Sequence, residues 1–347
     1  QLLDGLSFIG NDYQKFIEIF TVQTNKVFGL DVSKSYFDCT NFYFEIDRED
    51  DFKRKGPSKE NRKDPIVGLG LLLDSNQIPI GMKMYPGNES EKPVLRDVIN
   101  QLKKQNNVSG KTIHVADKGL NCAQNIAFSK QNGDGYLFSK SVKGLSEDEK
   151  EWVLLNQDFK EVKDSNNKVL YYYKSCIDKF PYKIEHEGKN VTIKLTEKRL
   201  LTYSPSLATK KRYEINRMVE KAKSLTASQA KRTDYGEAGK YVNFTDKEGK
   251  QAKVNINQEA IDKDLKFAGY NLLVTSETDM SDMDMYNTYH NLWRIEESFK
   301  IMKSDLDARP AFLQKEETIK GHFLICYLTV LIERIFQFKI LENKYST

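Results

Sequence analysis

The sequence predicts an α/β protein with a ribonuclease-H-like core: a mixed five-stranded sheet with flanking helices, interrupted by a β-rich insertion subdomain. Three observations carry that expectation. Three strand candidates follow one another before the first amphipathic helix, and strand, helix and strand come next. From about residue 146 to 266 the texture turns strongly charged. After it a strand in the earlier style returns, followed by two helices.

Residues 11–26 read as a helix leading into the first strand, and 27–47, "VFGLDVSKSYFDCTNFYFEID", are rich in the β-branched and aromatic residues that strands favour. "DPIVGLGLLLDSNQIPIGMKMYPGN" (64–88) is two apolar strands around a "DSNQ" turn. An amphipathic helix at 90–106, a strand at 111–121, a short helix at 125–132 and a strand at 135–142 complete the first block. Inside the charged block, "KVLYYYKSC" and "VTIKLTEKRLLTY" are strand candidates and 206–225 is a basic helix. "GYNLLVTSE" (269–277) is the returning strand, with helices at 281–303 and 315–341. The expected organisation is therefore a helical lead-in at 1–26, core at 27–145, insertion at 146–266 and core again at 267–347.

The 54 Lys and Arg against 50 Asp and Glu leave a net charge of only +4, but the basic residues are clumped at 52–63 and 209–223. Clumping matters more than the sum for a phosphate backbone, although each cluster alone reads as a solvated face. Four cysteines without a CxxC pair argue against a disulfide framework or structural zinc and fit a reducing, intracellular compartment. "FLICYLTVLIERIF" (323–336) is too short to span a bilayer and contains Glu333 and Arg334, so no membrane association is expected. His114, His186, His290 and His322 fit no ligand spacing, and no Ser-His-Asp or Cys-His arrangement is legible.

Three carboxylates stand out. Asp38 falls within the first strand, where a charge between Phe37 and Cys39 is costly unless paired or ligating; Asp31 competes for the same role. Asp117 ends the strand "TIHVAD", at the carboxyl end where open α/β sheets place their chemistry, though it could equally cap the next turn. On a helical wheel of 285–303, Met285, Tyr289, Leu292, Trp293, Glu296, Phe299 and Lys303 share one side, with Glu296 near its centre. A salt bridge to Lys300 would explain an exposed Glu296 but not an inward one. Brought together, the three would offer hard oxygen ligands to Mg2+ or Mn2+. Two such ions about 3.5–4 Å apart serve in-line displacement at phosphorus.

"YFDCTNFYFE", "GLLLDSNQIPIGMKMYPGNESE", "VADKGLN" and "YHNLWRIEESFKIMKSDLDARP" together resemble the DDE transposases of bacterial insertion sequences, in the group whose last carboxylate lies in a Tyr-x(2)-Arg-x(3)-Glu-x(6)-Lys signature. The likeness runs from about residue 27 to 336 with the motifs in family order. It implies Asp38, Asp117 and Glu296 as the metal-binding and catalytic triad, with two ions. It implies Tyr289 and Lys303 as contacts to transposon-end DNA. The signature's Arg falls at Leu292, a departure that touches the DNA contact and not the metal site. Arg294, Lys300, Lys59, Arg62, Lys210, Lys211 and Arg212 are the further DNA-binding candidates. The implied partners are double-stranded transposon-end and target DNA, with a homodimer in the DNA complex, in the bacterial cytoplasm. Family members carry an N-terminal end-reading domain, expected to precede residues 1–26. Competing readings are a ribonuclease-H-fold nuclease without strand transfer and an inactive DNA-binding relic. A pure interaction scaffold would leave an inward Glu296 unexplained.

Overall fold

The computed structural model describes residues 1–60, 62–106, 110–186, 188–224, 236–247, 250–342 and 344. The elements in chain order are α1 (Leu2–Asn11), α2 (Tyr13–Phe28), β1 (Lys34–Tyr43), β2 (Ile66–Leu73), β3 (Pro79–Pro86), α3 (Glu91–Asn106), β4 (Ile113–Ala116), α4 (Ala123–Gln131) and β5 (Gly135–Lys140). Then come α5 (Glu147–Leu154), β6 (Lys160–Lys163), β7 (Val169–His186), β8 (Lys189–Tyr203), α6 (Pro205–Lys223), β9 (Val242–Lys247), β10 (Lys250–Ile256), α7 (Gln258–Lys266) and β11 (Tyr270–Thr275). The chain closes with α8 (Asp282–His290), α9 (Trp293–Lys300) and α10 (Glu316–Ile335). Among the described residues no helix is long and apolar enough to cross a membrane.

The chain divides into two compact units, one of residues 1–139, 177–198 and 274–347, the other of 140–176 and 199–273. Residues 177–198, inside the expected insertion, thus group with the first unit. In that unit the strand order β3-β2-β1-β4-β5 is a mixed sheet. β1, β2 and β3 pair antiparallel, and β4 pairs parallel with both β1 and β5. β2 is the run "IVGLGLLL", buried at every position, as expected of a strand covered on both faces. Its Gly70 is needed: a Cβ there would stand 2.8 Å from the Phe37 ring. α3 covers the sheet with Val94, Leu95, Val98, Ile99 and Leu102, a helical stripe. α10 packs into the same core, its Phe323 ring 4.4 Å from that of Phe42 on β1.

The second unit has its own small core, in which Ile215 and Val219 of α6 meet Tyr241, Val242 and Ile261. Its described elements include three helices beside the expected strands. α6 buries Ala208, Ile215, Val219 and Ala222 and exposes Lys210, Lys211, Arg212, Arg217 and Lys221.

At the amino ends of β1 and β4 the fold builds what the sequence did not display. Ser35 Oγ lies 2.8 Å from His114 Nδ1, and His114 Nε2 lies 3.0 Å from Asp134 Oδ2. Asp134 also accepts from the Thr112 N–H at 3.1 Å and pairs with Lys103 of α3 at 2.5 Å. Geometrically this is a Ser-His-Asp chain, but Ser35, His114 and Asp134 are each no more than 2% exposed, so no substrate reaches it. It ties β1, β4 and α3 together. Burial pulls the His114 imidazole below its ordinary range, with Asp134 opposing. The neutral ring is the one that fits. Its stabilisation is complete above the unfolded value of about 6.5 and is lost as pH falls below it. Denaturant titrations of the wild type and His114→Gln are therefore expected to diverge most above pH 7 and to converge toward pH 5. A gap that stays constant across that range would contradict the buried neutral ring.

Candidate active site

Register brings Asp38 and Asp117 together. β1 and β4 run parallel with Phe37 opposite Ala116, and each aspartate is the next residue of its chain. Matched residues of parallel neighbours sit side by side, here at the carboxyl edge of the pair. On its other flank β1 continues antiparallel to β2, with Asp38 opposite Leu71. Asp31 stays in the turn before β1, where it accepts the Ser33 N–H at 3.0 Å and its own N–H donates to Asp74 at 3.1 Å.

The single helix expected over 281–303 is not formed. α8 ends at its cap Asn291, and α9 begins after Leu292. The break shifts the phase of the wheel. α9 buries Ile295, Ser298 and Phe299, with Met302 in the π-helical turn beyond, whereas Trp293 and Glu296 are exposed. Glu296 is therefore not a carboxylate set into an apolar stripe. It stands in the open wall of a cleft of about 490 Å³ that Asp38 and Asp117 also line. Among the described residues it pairs with no cation, so Lys300 one turn along does not claim it.

The three carboxylates reach the cleft as separate arms. Asp38 accepts the Cys39 N–H at 2.7 Å and lies 3.7 Å from the Lys59 ammonium. Burial pushes its carboxyl up to about 6; Lys59 and the Cys39 N–H oppose this, and Glu91 and Asp117 add to it. Asp117 accepts a 2.8 Å hydrogen bond from the Tyr289 hydroxyl. Burial and that neighbouring carboxylate hold the Tyr289 hydroxyl protonated, well above the usual phenol range. Tyr289, expected from the resemblance to touch DNA, donates this hydrogen bond to one of the candidate carboxylates. Among the described residues no three His, Cys, Asp or Glu side chains are gathered closely enough to hold an ion.

Lys300, Lys303 and Arg309 share the cleft wall with Lys59. Burial and the Lys59 charge pull the Lys303 ammonium down to about 8, with Asp38 opposing. Sequence reading missed Arg309; its only signal was a lone cation six residues past Lys303 in "KSDLDARP". Arg294 goes elsewhere: its guanidinium lies 4.7 Å from the Trp293 ring and 5.1 Å from that of Phe338, and 3.9 Å from Glu297. Arg62 stacks 3.7 Å over the Tyr43 ring and pairs with Asp64 at 3.4 Å. Lys210, Lys211 and Arg212 lie in the second unit, Lys211 paired with Glu214 at 2.9 Å.

A family model, the transposase DDE domain, matches residues 37–332. The chain belongs to this family. It is a transposase domain that functions in DNA transposition, an enzyme of the polynucleotidyl transferase and endonuclease kind, and its family works with divalent metal ions. The match begins one residue before Asp38 and runs past Glu296, so all three candidate carboxylates of the transposase lie within it. No curated protein matches the chain.

The donor set of the transposase cleft fits a divalent cation. Hard carboxylate oxygens from β1, the end of β4 and α9 line the cleft as separate arms, and burial disfavours the charged form of Asp38, a cost that a bound cation would offset.

Proposed function

We propose that this transposase domain hydrolyses a phosphodiester at its element's end and then uses the freed 3′-hydroxyl in strand transfer. Asp38, Asp117 and Glu296 are the catalytic triad in this reading, holding two ions of Mg2+ or Mn2+. One observation supports it above the rest: carboxylates on β1, just after β4 and on α9, distant in sequence, line the same cleft beside Lys300 and Lys303.

When bound, the ions would activate a water and stabilise the leaving oxygen of an in-line displacement. The chain's own residues position and neutralise. Tyr289 keeps the Asp117 carboxylate oriented, and the Cys39 N–H does the same for Asp38. Lys300 and Lys303 would hold phosphate oxygens of the strand being cut. The exposed cations of α6 would contact backbone phosphates of the end DNA, and a homodimer would pair two ends.

The test uses duplexes carrying the terminal sequences that flank this chain's reading frame, with Mn2+, Mg2+ or EDTA. Metal should produce nicks ending in 3′-hydroxyl, followed by joined products. Cleavage that persists in EDTA would sink the metal reading; nicking without any joined product would sink strand transfer.

A further inference from the structure

The loop between β1 and β2 carries two neighbours of opposite charge: Lys59, which lines the cleft, and Glu60, which meets two cations that line it. It is anchored at its base. Lys53 is buried and pairs with Asp50 at 2.7 Å, Arg54 and Ile66 form a β-bridge, and Asn41 donates to the Pro57 carbonyl at 3.3 Å. From that base each charge finds its complement. The Lys59 ammonium lies 3.7 Å from both Asp38 and Glu91 and donates to the Cys39 carbonyl. The Glu60 carboxylate is ion-paired with Arg309 and lies 3.3 Å from Lys303. An anion therefore sits against Lys303 and Arg309 and a cation against Asp38 and Glu91, both from one dipeptide.

We infer that Lys303 and Arg309 form a phosphate seat beside the candidate triad, and that Glu60 fills this seat as an internal competitor which the DNA backbone displaces. The inference rests on reading the cleft as the DNA-cleaving site, and adds Arg309 and Glu60 to it. The chemistry follows from the groups. A guanidinium offers paired N–H donors to either a carboxylate or a phosphate, and an adjacent ammonium adds a point charge. A carboxylate carries one negative charge on two oxygens, as a backbone phosphate does on its two free ones. Glu60 and the Lys303 side chain are both partly solvated, at 28% and 14%, so exchange of one anion for another requires no opening of the core.

The alternative is a brace, in which the ion pair merely holds the loop. Binding separates the two. The full chain is titrated with a short duplex in EDTA, so that the reading does not depend on cleavage. If Glu60 competes, Glu60→Gln tightens DNA binding about tenfold at low salt. Because Glu60 already offsets one of the two charges of the wild-type seat, the same variant should steepen the slope of log K against log salt by about 1. Arg309→Gln introduced into the Glu60→Gln protein should erase the gain. Thermal unfolding of each variant, followed alongside, shows that the fold is kept. Unchanged affinity and slope in Glu60→Gln, or weaker binding with a lowered Tm, would establish the brace and overturn the seat. Should Arg309→Gln leave the Glu60→Gln affinity intact, Arg309 is not part of the seat. Glu296→Gln, tested in parallel, reports on the triad through cleavage alone. A triad that fails with a seat that holds, or the reverse, is thereby told apart.

Discussion

Glu296→Gln is expected to abolish metal-dependent strand cleavage while leaving thermal unfolding where it is. The residue is exposed on the cleft wall and has no ion-pair partner among the described residues. The amide keeps its size and its place on α9, which buries Ile295, Ser298 and Phe299 in the core. What is lost is one charged oxygen donor of three. Removing it should lower the cleavage rate on the order of a thousand-fold, about 4 kcal/mol of transition-state stabilisation. A carboxylate buried in an apolar stripe would have made the amide stabilising; the exposed position removes that expectation. The measurement is single-turnover cleavage with Mn2+ beside a melting curve. Wild-type cleavage by the amide variant would end the ligand role of Glu296.

Asp38→Asn should separate activity from stability in the opposite direction. Cleavage should fall as steeply, but the metal-free protein should become more stable. The argument is one of linkage. Asp38 titrates near 6 in the fold, above the ordinary 3.8, so the folded state holds the proton more tightly than the unfolded chain. Ionising it in the fold therefore costs stability, a penalty absent below about pH 4, growing through 6 and complete above it. Two pH units correspond to roughly 2–3 kcal/mol. The asparagine escapes the penalty and can still accept the Cys39 N–H, while Lys59 retains Glu91 and the Cys39 carbonyl. Chemical unfolding of both proteins in EDTA should show a gap that opens between pH 4 and 6 and stays open to pH 8. Added Mg2+ should narrow it, because only the wild type gains from the bound ion. A variant less stable than the wild type at pH 8 in EDTA would refute the strain assigned to Asp38.

Much of this site was legible because its determinants are local. "IVGLGLLL" admits little but a buried strand, and an aspartate at the end of "TIHVAD" marks a carboxyl edge. The pairing of Phe37 with Ala116 then needs no special signal beyond two apolar strands. What stayed hidden depends on contacts between residues far apart. Neither Pro nor Gly announces the break at Asn291 and Leu292, so a continuous wheel misplaced Glu296. Ser35, His114 and Asp134 are separated by 79 and 20 residues and meet only through the sheet. Lys59 reads in the sequence as a DNA-binding candidate, and its place against Asp38 shows only in the fold. The contacts of Arg294 with the rings of Trp293 and Phe338 were equally invisible in the sequence.

The shared register of the two aspartates also determines which inherited changes in length this domain can survive. The chain separating Asp38 from Asp117 contains a long loop, a hairpin and a helix, none of which sets the spacing of the pair. Residues can be gained or lost there over generations while both carboxylates keep their places. β4 is different, because only Ile113–Ala116 pairs with β1 and a slip of one residue would send Asp117 to the opposite face. Insertions and deletions between Tyr43 and Ile66 should therefore leave the aspartate pair in place, and those that survive in descendants of this sequence should spare Lys59 and Glu60. Those four residues of β4 should remain a fixed count.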